Sequence, residues 1–142
     1  MSKTRTGGCV CGAVTYRALG EPERVSVCHC TYCQRLTGSA CGVWVSYLKA
    51  NLELMGSPRS IYEHRSDESH RWMRSEFCPR CGTTVGCTFE RGGPEIYSIT
   101  GGTFDETGWI QVERHVWTRS AQHWMIMPSD VPTFEKGSQK PG

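Results

Sequence analysis

Cysteine spacing constrains this chain more than any other feature. Seven of its nine cysteines fall into three close groups: Cys9-Val10-Cys11-Gly12, Cys28-His29-Cys30-Thr31-Tyr32-Cys33 and Cys78-Pro79-Arg80-Cys81-Gly82. Random burial of thiols does not produce such spacings. In a reducing compartment, clustered cysteines read as metal ligands before they read as disulfides. The odd total agrees with that.

In an extended segment residues i and i+2 share a face, so Cys9 and Cys11 can present two sulfurs together. Cys78 and Cys81, with Pro79 and Gly82, have the form of a zinc knuckle, a tight turn whose thiols converge on one ion. The two pairs lie about seventy residues apart, so a shared ion would fasten the N-terminus to the late strands. Four reduced core cysteines would be the plainer alternative.

The middle group differs. Cys28 and Cys30 share a face if extended, and Cys33 can return to them through one helical turn. Zinc held by three thiolates carries a net negative charge. It is a weaker Lewis acid than zinc on neutral imidazoles and suits a soft fourth ligand such as sulfur. This favours carbon–sulfur chemistry over hydrolysis. The competing reading is a second structural zinc closed by a fourth protein ligand, with Cys41, Cys87 or a histidine as candidates. Zinc deaminases need Pro-Cys-x-x-Cys and His-x-Glu; this chain has Cys-Pro and no His-x-Glu.

Other candidates have bland readings. Cys41 and Cys87 lie alone in strand-like stretches and read as small buried hydrophobes. His29, if its segment is extended, points away from its cysteine neighbours, as an orienting or structural group would. His64, His70, His115 and His123 have no metal spacing. Trp44, Trp72, Trp109, Trp117 and Trp124 are scattered, as packing residues are.

At 142 residues the chain is expected to be one domain, residues 1–135, followed by a loose tail over 136–142. Hydrophobic content of 37% is modest, so a structural zinc contributing on the order of 10 kcal/mol would decide whether the domain folds. A net charge of +2 is too small to argue for nucleic acid or a membrane surface as partner, and with no basic run it argues against nucleic acid. No apolar N-terminal run resembles a signal peptide and no stretch is long enough to span a membrane, so a cytoplasmic location is expected.

Strand-like segments predominate, at 13–17, 25–27, 40–47, 52–55, 60–64, 71–77, 83–89, 96–100 and 110–117, with Gly- and Pro-marked turns between them. One short helix is predicted over 31–36, ended by Gly38. The chain therefore reads as mainly β.

With these residues in view, the sequence resembles the glutathione-dependent formaldehyde-activating enzyme family, also called the centromere protein V family. The likeness runs over roughly residues 6–135. It rests on Gly7-Gly8-Cys9-Val10-Cys11-Gly12-Ala13-Val14-Thr15-Tyr16, on the run from Cys28 to Gly38, and on Phe77-Cys78-Pro79-Arg80-Cys81-Gly82-Thr83. Gly102-Thr103-Phe104-Asp105 and the stretch 115–124 fit weaker features. The resemblance implies a β-tent fold, antiparallel sheets assembled around a zinc knuckle site. It implies a structural Zn2+ on Cys9, Cys11, Cys78 and Cys81, and a catalytic Zn2+ on Cys28, Cys30 and Cys33. The implied activity is that of a carbon–sulfur lyase, condensing formaldehyde with glutathione to S-hydroxymethylglutathione.

Two functions follow as expectations. One is a zinc-dependent carbon–sulfur lyase or synthase acting on a small thiol such as glutathione and a small carbonyl. Arg35, beside the thiols, would then either hold a substrate carboxylate or be a plain surface residue. The other is a non-enzymatic zinc module whose exposed apolar patch serves a protein partner or a homodimer.

Overall fold

The computed structural model describes residues 3–137. Thr4–Gly8 (β1), Val14–Leu19 (β2) and Leu52–Gly56 (β5) form a three-stranded antiparallel sheet in the order β1-β2-β5. Strand β2 shows why. Val14, Tyr16 and Ala18 are fully buried while Thr15, Arg17 and Leu19 face outward, the period of two imposed by one covered face.

The larger sheet has seven strands: Arg24–Cys28 (β3), Gly42–Leu48 (β4), Ser60–Arg65 (β6), Trp72–Phe77 (β7), Thr84–Phe89 (β8), Ile96–Thr100 (β9) and Arg114–Val116 (β10). Their order is β10-β3-β4-β9-β8-β7-β6. Every neighbour is antiparallel except β10, which runs parallel to β3. The fold is mainly β, as expected, with mixed rather than wholly antiparallel pairing. Two strand expectations shift. Strand β1 carries no alternating pattern and was not foreseen. The segment 110–117 pairs only at its end, because Trp109, Ile110 and Val112 pack on the core instead of joining a ladder.

The two sheets enclose the main core. Val14, Tyr16 and Ala18 meet Val25, Val45, Tyr47, Val85, Tyr97 and Ile99 of the large sheet. Each such side chain stabilises by about 1.5–3 kcal/mol on burial. Strand β4 is covered on both faces. Val45 and Tyr47 face the main core, while Trp44 joins a second cluster with Cys28, Cys33 and Cys87. The buried hydroxyls of Ser46 and Ser98, paired across β4 and β9, satisfy each other at 2.8 Å.

The helix Thr31–Thr37 (α1) lies between β3 and β4 and lays Tyr32, Cys33 and Leu36 on the second cluster. It runs to Thr37, one residue beyond the expected span, and is ended as expected by Gly38 in the left-handed conformation. The outer edge of β10 is closed by the segment 132–136: the His115 N–H donates to the Pro132 carbonyl and the Phe134 N–H to the His115 carbonyl. Of the segment expected as a tail, Lys136 accepts the Trp117 N–H at its carbonyl and places its Nζ 3.0 Å from Glu68. Residues 138–142 lie outside the described residues. Among the described residues no helix is long and apolar enough to cross a membrane.

Candidate functional site

Two sets of thiols gather in space. The first joins Cys9 and Cys11, in the turn between β1 and β2, to Cys78 and Cys81, in the turn between β7 and β8. Gly12 and Gly82, at φ of 80° and 79°, let each turn fold back in the left-handed region that a side chain disfavours. The Gly82 N–H donates to the Cys78 carbonyl at 2.8 Å, and the Cys78 N–H to the Thr83 carbonyl at 2.9 Å. This fixes the knuckle.

Four thiolates about 2.3 Å from a tetrahedral zinc lie about 3.8 Å apart. Here Cys9 and Cys11 are 3.7 Å apart and Cys11 and Cys78 are 3.8 Å apart, a fit to that ion. Backbone N–H groups also converge: Val14 donates to the Cys9 sulfur at 3.2 Å and Arg80 to that of Cys78 at 3.4 Å. The Thr83 hydroxyl, 3.2 Å from the Cys81 sulfur, holds that thiol down to about 5. Such donors favour the thiolate form a metal needs.

The second set comes from one short run. Cys28 closes β3, Cys30 caps α1, and Cys33 sits in its first turn. Their sulfurs lie within 4.8 Å of one another. The Cys33 N–H donates to the Cys30 sulfur at 3.3 Å, so the helix start itself aims these two residues together. Donation from the Cys28 and Cys33 thiols, then from nearby backbone N–H groups, pulls Cys30 down to about 3. The contact with Cys30 pushes Cys28 up to about 12, and the contact with Cys28 pushes Cys33 up as well. Cys30, the most exposed of the three, is thus the thiol whose surroundings most favour the thiolate. A divalent ion would displace the protons that remain.

Among the described residues no histidine, cysteine or carboxylate makes this set four. Cys87 is fully buried and packs in the same apolar cluster, yet stays outside the donor group; burial pushes its thiol up. Cys41 is partly exposed, and its carbonyl accepts the Thr37 hydroxyl at 3.1 Å. Neither takes the fourth place. Among the described residues, then, the first set has four donors and the second has three.

His29 is fully buried and stands outside the thiol group. Its Nε2 lies 2.9 Å from Nδ1 of His115, and the rings stack. Burial, then the neighbouring imidazole, lowers the pKa of His29; burial lowers that of His115. His64 stacks on Tyr32 with ring centres 4.2 Å apart. Trp117 holds a left-handed backbone, φ 57°, and packs on the thiol cluster. Strain of this kind concentrates at functional sites.

Sequence reasoning missed a polar brace. The Gln34 amide donates to the carbonyls of His29 and Ser120, both at 2.9 Å, and its Oε1 accepts from Gln122 at 3.3 Å. No spacing joins residues this far apart, so nothing in the chain order marks the brace. Arg35 is exposed and lines a shallow depression of about 370 Å³ with Thr31, Gln34, Ser39 and Gln122. A second depression, of about 270 Å³, lies beside Cys9. None of Cys28, Cys30 and Cys33 lines either one.

Residues 4–120 match the sequence model of the family described as glutathione-dependent formaldehyde-activating enzyme. No curated protein matches the chain. A crystal structure of a Rhodobacter sphaeroides protein superposes with a TM-score of 0.55 at 18% identity, covering 90% of this chain and 98% of that one. That likeness concerns the fold.

Proposed function

Because the chain belongs to the glutathione-dependent formaldehyde-activating enzyme family, we propose that it is a zinc-dependent carbon–sulfur lyase or synthase acting on a thiol and a small aldehyde. In the forward direction a sulfur–carbon bond forms, the carbon–oxygen π bond opens, and the thiol proton ends on the new hydroxyl. The reverse reaction releases thiol and aldehyde.

The observation that carries this proposal is the contrast between the two thiol sets. Four sulfurs complete a shell at the sheet junction, whereas Cys28, Cys30 and Cys33 stand without a fourth donor among the described residues. Zinc held there would supply a soft cation that keeps a visiting thiol deprotonated. The chain's own residues shape the rest. Cys28 and Cys33 are anchored in the apolar cluster with Trp44, Leu36 and Phe89, which excludes water from the inner side. Cys30, partly exposed, marks the side of approach.

A second reading has its own support. Cys28, Cys30 and Cys33 line neither depression, and Trp124 and Ile126 are 61% and 91% exposed. A zinc module that docks on a protein partner would show both features.

One experiment separates the two. Zinc is counted on anaerobically purified protein, and thiols are then mixed with carbon-13 formaldehyde and followed by NMR exchange. The enzyme reading expects about two ions per chain and faster exchange for at least one thiol. Two ions with no acceleration for any thiol would leave the module.

A further inference from the structure

Arg24 opens β3 and Cys28 closes it. Alternation places residues 24, 26 and 28 on one face, opposite the buried Val25 and Val27. The parallel register sets Arg114 beside Ser26 and Val116 beside Cys28. Arg114 therefore stands on the same face, one strand over. That face carries three thiols at one end of β3 and two guanidinium groups toward the other.

Among the described residues neither guanidinium group has a carboxylate of its own, since the one nearby, Glu113, is shared with a backbone N–H. Nε of Arg114 is buried with no hydrogen-bond partner, and neither Arg24 nor Arg114 belongs to an ion pair among the described residues. Glu113 is the nearby carboxylate, and its Oε1 already accepts the Val25 N–H at 2.8 Å. Burial, then the charges of Arg114 and Arg91, push the Arg24 guanidinium below its usual value. Crowded, partly desolvated cations are relieved by an anion, and the planar fork of arginine matches a carboxylate.

We propose that Arg24 and Arg114 form a carboxylate receptor for the thiol substrate, holding its acid group while its sulfur reaches the three cysteines. This rests on the reading of Cys28, Cys30 and Cys33 as a thiol site. Four strand residues set Arg24 and Cys28 about 13 Å apart along the backbone, and arginine's side chain shortens the gap. An extended tripeptide spans about 10 Å. The receptor thus selects a peptide-sized thiol acid and rejects small neutral thiols.

The test uses the zinc-loaded protein, calorimetry and three probes. Glutathione carries both groups, its diethyl ester keeps the thiol and masks the acids, and γ-glutamylalanylglycine keeps the acids and lacks sulfur. On the unaltered protein the ester binds about tenfold or more weakly than glutathione. Arg24→Gln and Arg114→Gln, each checked for folding by circular dichroism, weaken glutathione and the sulfur-free peptide by about the same factor and leave the ester unchanged.

Ester and glutathione binding alike overturns the receptor and leaves the thiol site standing. Folded variants with unchanged glutathione affinity do the same. Tight binding of the sulfur-free peptide, lost in Arg24→Gln, with no binding of the ester, keeps the receptor and removes the thiol reading. Binding of none of the three overturns the receptor.

Discussion

The sulfur of Cys11 lies 3.8 Å from that of Cys78, tying a turn of the small sheet to a turn of the large one. Few other contacts have this leverage, because the two residues are 67 positions apart. A zinc on this set would contribute about 10 kcal/mol, comparable with the whole stability of a small domain. Cys81→Ser is therefore expected to lose that ion and fail to fold, read by zinc content and far-ultraviolet circular dichroism. A folded Cys81→Ser protein with an unchanged melting temperature would contradict this.

Cys30→Ser makes the opposite case. Its thiol caps a short helix and lies at the exposed side of the open set, so its loss removes a ligand without opening the main core. The expected variant keeps its circular dichroism spectrum, binds one zinc fewer and no longer accelerates thiol–aldehyde exchange. Identical behaviour of Cys30→Ser and Cys81→Ser would show that the two sets do not divide their labour.

His115→Ala should cost about 1–3 kcal/mol, because it leaves the buried Nε2 of His29 without its partner. Urea denaturation of the zinc-loaded protein reads this directly, and an unmoved midpoint would place the pair among spectators.

A pH dependence follows from the same residue. Burial lowers the pKa of His115 below the usual 6.5, so the unfolded chain takes up a proton that the folded one refuses. Stability is thus complete above about 6.5 and declines as pH falls below it. Denaturation midpoints between pH 7.5 and 5.5, stable or rising on acidification, would argue against this.

Ile99 is fully buried between the sheets. Ile99→Ala is expected to cost about 2–5 kcal/mol, while Ile61→Ala, at a side chain 61% exposed on the edge strand β6, stays within about 0.5 kcal/mol. Equal costs would mean that the core is misplaced.

Much of this protein is legible from local order. The thiol groups are marked by spacing alone, because convergence within a turn or a single helical turn depends on neighbours in the chain. Strand β2 betrays itself by alternation, through Val14, Tyr16 and Ala18, whereas β4, β8 and β9 show as short runs of β-forming residues that end up buried nearly throughout. The end of α1 is marked by Gly38, where the left-handed turn suits glycine. Strand β1 is silent because its Thr and Gly residues pair at an edge without a regular buried face.

Long-range pairing decided the rest. Whether Cys87 or Cys41 would complete the open set depended on how β8 and the turn after α1 pack, and neither came close enough. The His29–His115 pair, the Gln34 brace and the shared face of Arg24 and Arg114 all arise because the chain returns, about ninety residues after β3, to lie parallel beside it. Side-chain periodicity announces which residues face inward. It carries no information on which distant strand arrives next to them, and that arrival set what surrounds the three thiols.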